Sequence, residues 1–286
     1  MSGAAPPGDQ ATADGFAASW NTVGIGSVYT AEQFRDWMAP LDAAGFAGRD
    51  VLELGFGNGS LLYHMARCSP SRLVGVELGD TLEQTRRNLA PVAAATTIEL
   101  HRGDLLAVDL GSFDLVYSIG VLHHLADPDA GLEAVLRHTC PGGHFHCWVY
   151  AREGNWIVRT LVEPLRRISC RLPWWLTKYL LAMPLVTPFF LYAKSIARLS
   201  RREPLPRPLR AALPLHDYSL WIAQRPFGFF HHVAFDQLVT PQTTYLPRHR
   251  VEQWLRHPLV DPASTYLVFR NANSWKFGGR RLDGRH

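Results

Sequence analysis

The chain has 286 residues, 47% of them hydrophobic, and a formal charge of +4. That content suffices for one large domain or a domain with an insertion, and it excludes a disordered or fibrous chain. Four cysteines, Cys68, Cys140, Cys147 and Cys170, form neither a CxxC pair nor a disulfide framework, which suits a reducing cytoplasm and predicts buried thiols and no metal centre.

Met1 to Asp14 is small, polar and rich in proline and glycine, without the charged and apolar regions of a signal peptide, and reads as a mobile tail. From Phe16 to Leu41 the pattern is helical, with Tyr29, Phe34 and Trp37 among polar residues and a capping box at Thr30 and Gln33. Residues 1–46 are therefore expected to be a tail and a helical cap. Val51 to Leu54 then suit a buried parallel strand. They run into glycines at 55, 57 and 59, and Leu61 to Ala66 has helix-forming character. Glycine in such a turn lets backbone approach a ligand, and the N–H groups opening the helix favour an anionic group.

Strands and helices continue to alternate: strand Leu73 to Glu77, helix Thr81 to Leu89, strands Thr97 to His101 and Phe113 to Ser118, and His144 to Tyr150 after a Pro141-Gly142-Gly143 turn. Alternation of this kind predicts an α/β fold with a parallel sheet. Glu77 and Asp104 fall at the carboxyl ends of strands, where ligands of such sheets bind. Asp114 falls at the amino end of its strand and reads as structural.

The glycines form GxGxG, whereas a dinucleotide fingerprint is GxGxxG, so the register opposes a nicotinamide oxidoreductase. Glu53 to Gly59, the acid Glu77, the Gly103-Asp104 corner, Phe113-Asp114-Leu115-Val116 running into Val121-Leu122-His123-His124-Leu125, and Pro141-Gly142-Gly143 together resemble the ordered motifs of class I S-adenosylmethionine-dependent methyltransferases. They resemble in particular the broad group that includes the ubiquinone and menaquinone methyltransferases, and the resemblance covers roughly residues 47–150. It implies a Rossmann-like sheet, parallel with an antiparallel C-terminal strand, and S-adenosylmethionine as cofactor. By the same resemblance Glu53, Gly55, Phe56, Gly57, Asn58 and Gly59 hold the methionyl part, Glu77 the ribose hydroxyls and Asp104 the adenine amino group, with Leu78, Leu105 and Ser118 beside them. Two positions depart from the family pattern: Glu53 stands where aspartate is more frequent, and Phe56 is bulkier than usual.

A methyl group leaving a sulfonium is already activated, so positioning the acceptor is the main task, and a base is needed only where the acceptor carries a proton. His123 and His124, just past the fourth strand, are the catalytic candidates, since an imidazole titrating near neutrality suits deprotonation; packing or capping is the competing reading. Ser118-Ile119-Gly120 lacks the Asn-Pro-Pro-Tyr type of signature for adenine or glutamine-amide acceptors, which favours O- or C-methylation.

After Tyr150 about a hundred residues intervene before a helix at Arg250 to Arg256 and strands at Ser264 to Arg270 and Trp275 to Arg281 complete the sheet. A stretch that long, residues 151–249, is expected to be a lid or substrate segment. Between Ala151 and Arg210 twelve basic residues face three acidic ones, a net +9 that leaves −5 for the rest. Ile157, Leu161, Leu165, Ile168 and Leu172 form an apolar stripe with the arginines largely off it. Trp174 to Ala193 is about long enough to span a bilayer, but Lys178, Pro184 and Pro188 interrupt it, which argues for a hydrophobic substrate cover or a surface touching membrane, with an anionic lipid head group as a further reading of the basic charge. No Lys/Arg-rich recognition motif accompanies the basic residues, which argues against nucleic acid.

Phe227 to Tyr245 is similar to a stretch in a subgroup of uncharacterised bacterial methyltransferases, and contributes His231, His232, Asp236 and Tyr245 as secondary candidates. The whole reads as a cytoplasmic or membrane-peripheral methyltransferase for a small or lipid-like apolar acceptor. A non-catalytic binding module of the same fold is the alternative, opposed by the retained glycines and ribose acid.

Overall fold

Short β-branched and leucine-rich runs separated by helices condense into one seven-stranded sheet. The computed structural model describes residues 5–21, 29–201 and 206–283. The strands are β1 (Asp50–Leu54), β2 (Arg72–Glu77), β3 (Thr97–Arg102), β4 (Phe113–Ile119), β5 (Thr139–Tyr150), β6 (Tyr266–Arg270) and β7 (Ser274–Arg280), in the order β3-β2-β1-β4-β5-β7-β6. Neighbours among β1 to β5 pair in parallel, and β7 runs antiparallel between β5 and β6. Alternate side chains enter opposite cores, as strand geometry requires. Leu52, Leu54, Val74, Val76 and Val116 pack with helices α5 (Pro128–His138) and α12 (Arg248–Trp254). Val51, Leu73, Leu115 and Tyr117 pack with α2 (Ala31–Met38) and α3 (Ser60–Ala66). Helix α4 (Leu82–Leu89) joins β2 towards β3. Asp114 accepts the Asp50 N–H at 3.0 Å, so it pins the start of β1.

Four expectations need correction. The stretch read as a mobile tail is helical from Pro7: α1 spans Pro7–Trp20, and Met1 to Ala4 lie outside the described residues. Its small residues permit close packing. A Cβ on Gly15 would lie 3.0 Å from the Val239 carbonyl oxygen, and one on Gly79 would lie 2.9 Å from that of Ala13. The single helical pattern from Phe16 to Leu41 is two helices, α1 and α2, with residues 22–28 outside the described residues. Thr30 Oγ1 caps α2 by accepting the Gln33 N–H. Pro141-Gly142-Gly143 is an irregularity inside β5, because Phe113 pairs with Thr139 and Leu115 with His144.

The fourth correction concerns the insertion. It contains α6 (Glu163–Ser169), α7 (Trp174–Leu176), α8 (Met183–Ser200), α9 (Arg207–Ala212), α10 (His216–Ile222) and α11 (Phe227–Val239). Lys178, Pro184 and Pro188 interrupt the apolar run but not the helix, which is continuous over Trp174–Ser200 and long and apolar enough in its mean hydropathy to match a span. Wider π-helical turns, Val158–Val162 and Thr177–Ala182, directly precede the segments containing Pro164 and Pro184. There a missing N–H would break the regular ladder. Together α1, α6, α8, α10 and α11 form a roof over the carboxyl edge of the sheet.

Candidate active site

The turn after β1 is built by glycine conformation and by the acid ending β2. Gly55 and Gly57 have φ of +83° and +54°, a region side chains avoid. A Cβ on Gly55 would overlap Val121, whereas one on Gly57 would meet only the Trp20 ring, in ordinary contact at 3.9 Å. Gly57 N–H donates to Glu77 Oε2 at 2.9 Å and Gly79 N–H to Oε1 at 2.8 Å, so Glu77 holds the turn. Glu53 is buried on β1, where the Tyr117 hydroxyl donates to its Oε2 at 2.8 Å. Burial raises the Glu53 pKa to about 8 against the opposing Tyr117 hydrogen bond, with repulsion from Glu77 added. Burial also raises Glu77, against the N–H groups of Gly79, Gly57 and Leu78. Two desolvated carboxyls side by side are an environment that a cation relieves. Phe56 finds its room over Gly75, where a Cβ would approach it to 2.7 Å.

At the neighbouring corner Asp104 Oδ1 accepts the Leu106 N–H at 2.8 Å. Helix α1 brings Asp9 beside it. Asp9 Oδ1 accepts the Ala126 N–H at 2.7 Å, while Oδ2 is buried with no partner among the described residues. Burial raises the Asp9 pKa, opposed by the Ala126 N–H and assisted by Asp104. An orphaned buried acceptor fits a donor such as an exocyclic amino group. The residues present therefore suit a ligand with a cationic amino-acid end, a diol and an amine-bearing base.

A cavity of about 440 Å3 borders Glu53, Gly55, Phe56, Gly57, Asn58, Glu77, Leu78, Asp104, Leu105 and His124. It does not border three of the expected residues. Gly59 faces Thr85, to which a Cβ would come within 2.6 Å. Ser118 Oγ donates to the Leu54 carbonyl at 2.9 Å and holds β4 to β1. His123 is buried among the rings of His124, Trp148 and Tyr150, and neither of its nitrogens has a hydrogen-bond partner among the described residues.

His124 lies on the cavity wall with Nδ1 2.8 Å from the Gln242 carbonyl, so Nδ1 carries the proton and Nε2 is the free base. Burial lowers the His124 pKa to about 3, opposed by the Gln242 carbonyl, and drives His123 well below the ordinary value, with His124 and Arg166 adding to it. Burial thus disfavours the imidazolium of both rings, which runs against an imidazole titrating near neutrality. Among the described residues no group of three histidine, cysteine or carboxylate side chains is placed to hold a metal ion.

The same cavity continues into an aromatic compartment walled by Trp37, Trp148 and Tyr150 from the core and by Phe189, Tyr218 and Phe230 from the insertion. Asp236 of α11 borders it. Ser19 Oγ donates to Asp236 Oδ1 at 2.6 Å, and His232 Nε2 lies 3.2 Å from Oδ2. Burial raises the Asp236 pKa, with His232 and Ser19 opposing. Tyr245 and Gln237 also border the cavity. Gln237 Nε2 donates to the Tyr150 hydroxyl at 2.7 Å. The buried Arg166 donates to the Tyr245 hydroxyl at 3.3 Å and to Gln237 at its backbone oxygen and Oε1. Both phenols therefore accept from this network and keep their own protons to donate. His231 is turned away, its Nε2 on the Lys178 carbonyl.

Asp236 and Tyr245 were legible as candidates in the sequence, whereas Asp9, Ser19, Tyr150, Arg166 and Gln237 were not. Tyr150, as the last residue of a strand at the carboxyl edge, carried a usable signal. Asp9 carried none, since its contact is 117 residues away in the chain.

Known proteins are similar to this segment in sequence. The family model described as a methyltransferase domain matches residues 52–145. An uncharacterised protein of Synechococcus sp. is 32% identical over 119 residues, 40% of this chain and 28% of that protein. A ubiquinone biosynthesis O-methyltransferase of Acinetobacter baylyi is 30% identical over 105 residues, 36% of this chain and 44% of that protein. The crystal structure of an S-adenosylmethionine-dependent methyltransferase from Mesorhizobium loti is 28% identical, covering 43% of this chain and 54% of that one, with a TM-score of 0.34. The chain spans less than half the length of the two curated relatives. The strand order and the glycine turn agree with the matched segment, so residues 52–145 form a methyltransferase domain similar to those of S-adenosylmethionine-dependent enzymes.

Proposed function

We propose that the chain transfers a methyl group from S-adenosylmethionine to a hydroxyl oxygen of a small or lipid-like apolar acceptor. One observation carries this reading: a single cavity joins the Glu53 and Glu77 end to an aromatic compartment whose wall includes a carboxyl group, Asp236. Similarity to proteins named as ubiquinone biosynthesis O-methyltransferases supports oxygen as the accepting atom.

In this reading Glu53 faces the ammonium group, Glu77 the ribose hydroxyls, and Asp104 with Asp9 the adenine amino group. When bound, the cofactor would supply an electrophilic methyl group and leave as a neutral thioether. Asp236 takes the hydroxyl proton. A carboxyl raised by burial is better matched to that task than either imidazole, and a positioned base contributes roughly 10²–10⁴-fold. Tyr150 and Tyr245 donate to a second oxygen of the acceptor and fix its orientation, the larger part of catalysis when the donor is already activated.

The test combines binding and turnover. Calorimetry should detect S-adenosylhomocysteine binding to the wild type and none to Gly57→Arg, whose side chain would enter the cavity. With labelled donor and a panel of alkyl-substituted phenols and catechols, Asp236→Asn should bind the cofactor normally and lower turnover by about 10²-fold. No binding by the folded wild type at millimolar ligand rejects the whole reading. Full turnover by Asp236→Asn rejects the base.

A further inference from the structure

We infer that the insertion is a membrane-docking face, which seats on an anionic lipid bilayer and opens the acceptor compartment to its apolar layer. Sixteen large hydrophobic side chains are exposed among the described residues, and all but Leu259, Val268 and Phe269 fall between Trp156 and Leu209. Leu161, Leu180 and Leu191 are each at least 60% exposed. A concentration of exposed apolar surface in one segment marks an interaction face.

The long helix Trp174–Ser200 has the length and mean hydropathy of a span, with only 22% of its apolar window buried. Its other side is fixed within the roof. Val186, Ala193 and Ile196 are buried there, and Lys194 Nζ donates to the carbonyl oxygens of Ala223 and Arg225 at 2.7 and 3.2 Å. If the helix crossed a bilayer, the neighbouring α10, with its His216 and Asp217 pair 2.8 Å apart, would be drawn into hydrocarbon. A helix apolar on its open side and packed on its other side lies in the interface instead.

Charge selects the occupant. Arg167, Arg171, Arg198, Arg201, Arg207 and Arg210 are exposed, and none forms an ion pair with a described carboxylate. Arg202 and Glu203 lie outside the described residues. A second copy would set the same positive segment against itself, whereas an anionic leaflet neutralises it.

The last observation ties this face to the cavity. Leu161 and Leu185 are exposed and also border the cavity, next to Ile157, Val158 and Val162. The rim of the acceptor compartment and the exposed patch are thus one surface. An apolar acceptor could pass between bilayer and compartment without entering water. The delivery of acceptor rests on the proposed function, whereas the docking does not.

The experiment is co-sedimentation of the full chain with phosphatidylcholine vesicles, with and without phosphatidylglycerol. Wild type should pellet with the anionic vesicles and be released by salt. Arg167→Glu/Arg171→Glu and Trp175→Ser/Leu180→Ser, all away from the cavity wall, should each bind about tenfold less or weaker. Calorimetry with S-adenosylhomocysteine in the absence of vesicles should give wild-type affinity for both variants, showing that they fold. Failure of the wild type to pellet with anionic vesicles overturns the inference. So does wild-type pelleting by both variants, or self-association that the Trp175→Ser/Leu180→Ser change abolishes while no vesicle binding is seen. If vesicles bind and the cofactor does not, docking stands and the methyl-transfer reading falls.

Discussion

The carboxyl of Glu53 shares its face of β1 with Val51, buried against Tyr117 and near Glu77, and its pKa of about 8 follows from that desolvation. A folded-state pKa above the ordinary 4.5 means that protonation stabilises the fold. The contribution is complete below about 4.5 and is lost as pH rises through about 8. A cationic ligand reverses the preference. Binding of S-adenosylhomocysteine at pH 7 should therefore release protons, detectable as a calorimetric enthalpy that varies with the ionisation enthalpy of the buffer. Glu53→Gln should abolish the release, weaken binding by about tenfold and raise the melting temperature of the free protein at pH 8. Equal enthalpies in all buffers would exclude Glu53 as the group facing the ammonium. Asp9 permits a sharper test. Asp9→Asn can keep an acceptor for the Ala126 N–H while turning the orphaned oxygen into a donor, so adenosyl affinity should fall about 5–30-fold with little change in stability.

Among the elements, the first turns of α1, before Phe16, were hidden in the sequence, because Ala, Gly and Asp there resemble a solvated tail. Those small residues are what let it lie against Val239 and Gly79 and present Asp9, Phe16 and Ser19 to the cavity and its wall. Gly15→Val should push α1 from α11, since a Cβ there already sits 3.0 Å from the Val239 carbonyl. The expected result is a loss of about 1–3 kcal/mol in stability and a weaker cofactor site. Chemical denaturation and calorimetry would measure the two separately, and an unchanged cofactor affinity would show that α1 does not form the roof of that site. In α6, Arg166 was legible as a basic residue off an apolar stripe, but its burial against Gln237 and Tyr245 could not be inferred, because those partners lie more than seventy residues away.

For the molecule as a whole, buried imidazoles are expected to set the acid limit. His146 is held neutral between the Tyr266 hydroxyl and the Trp37 carbonyl, and burial lowers its pKa to about 4 while His124 lies at about 3. A depressed folded-state pKa contributes stability that is present above about 6.5 and lost as pH falls towards 4, amounting to a few kcal/mol for such a shift. Melting temperature should therefore drop across that window, and His146→Gln should start less stable at pH 7 and show a shallower drop. An unaltered slope would assign the acid sensitivity elsewhere. The sheet, the glycine turn and the acids at positions 53, 77 and 104 were determined by the sequence alone, since strand hydrophobicity, positive φ at glycine and the placement of strand ends are local properties. The neutrality of the histidine pair, the orphaned oxygen of Asp9, the Arg166 network and the common rim of cavity and exposed patch were decided only by tertiary structure. Each depends on burial and on contacts between segments far apart in the chain, which no local pattern encodes.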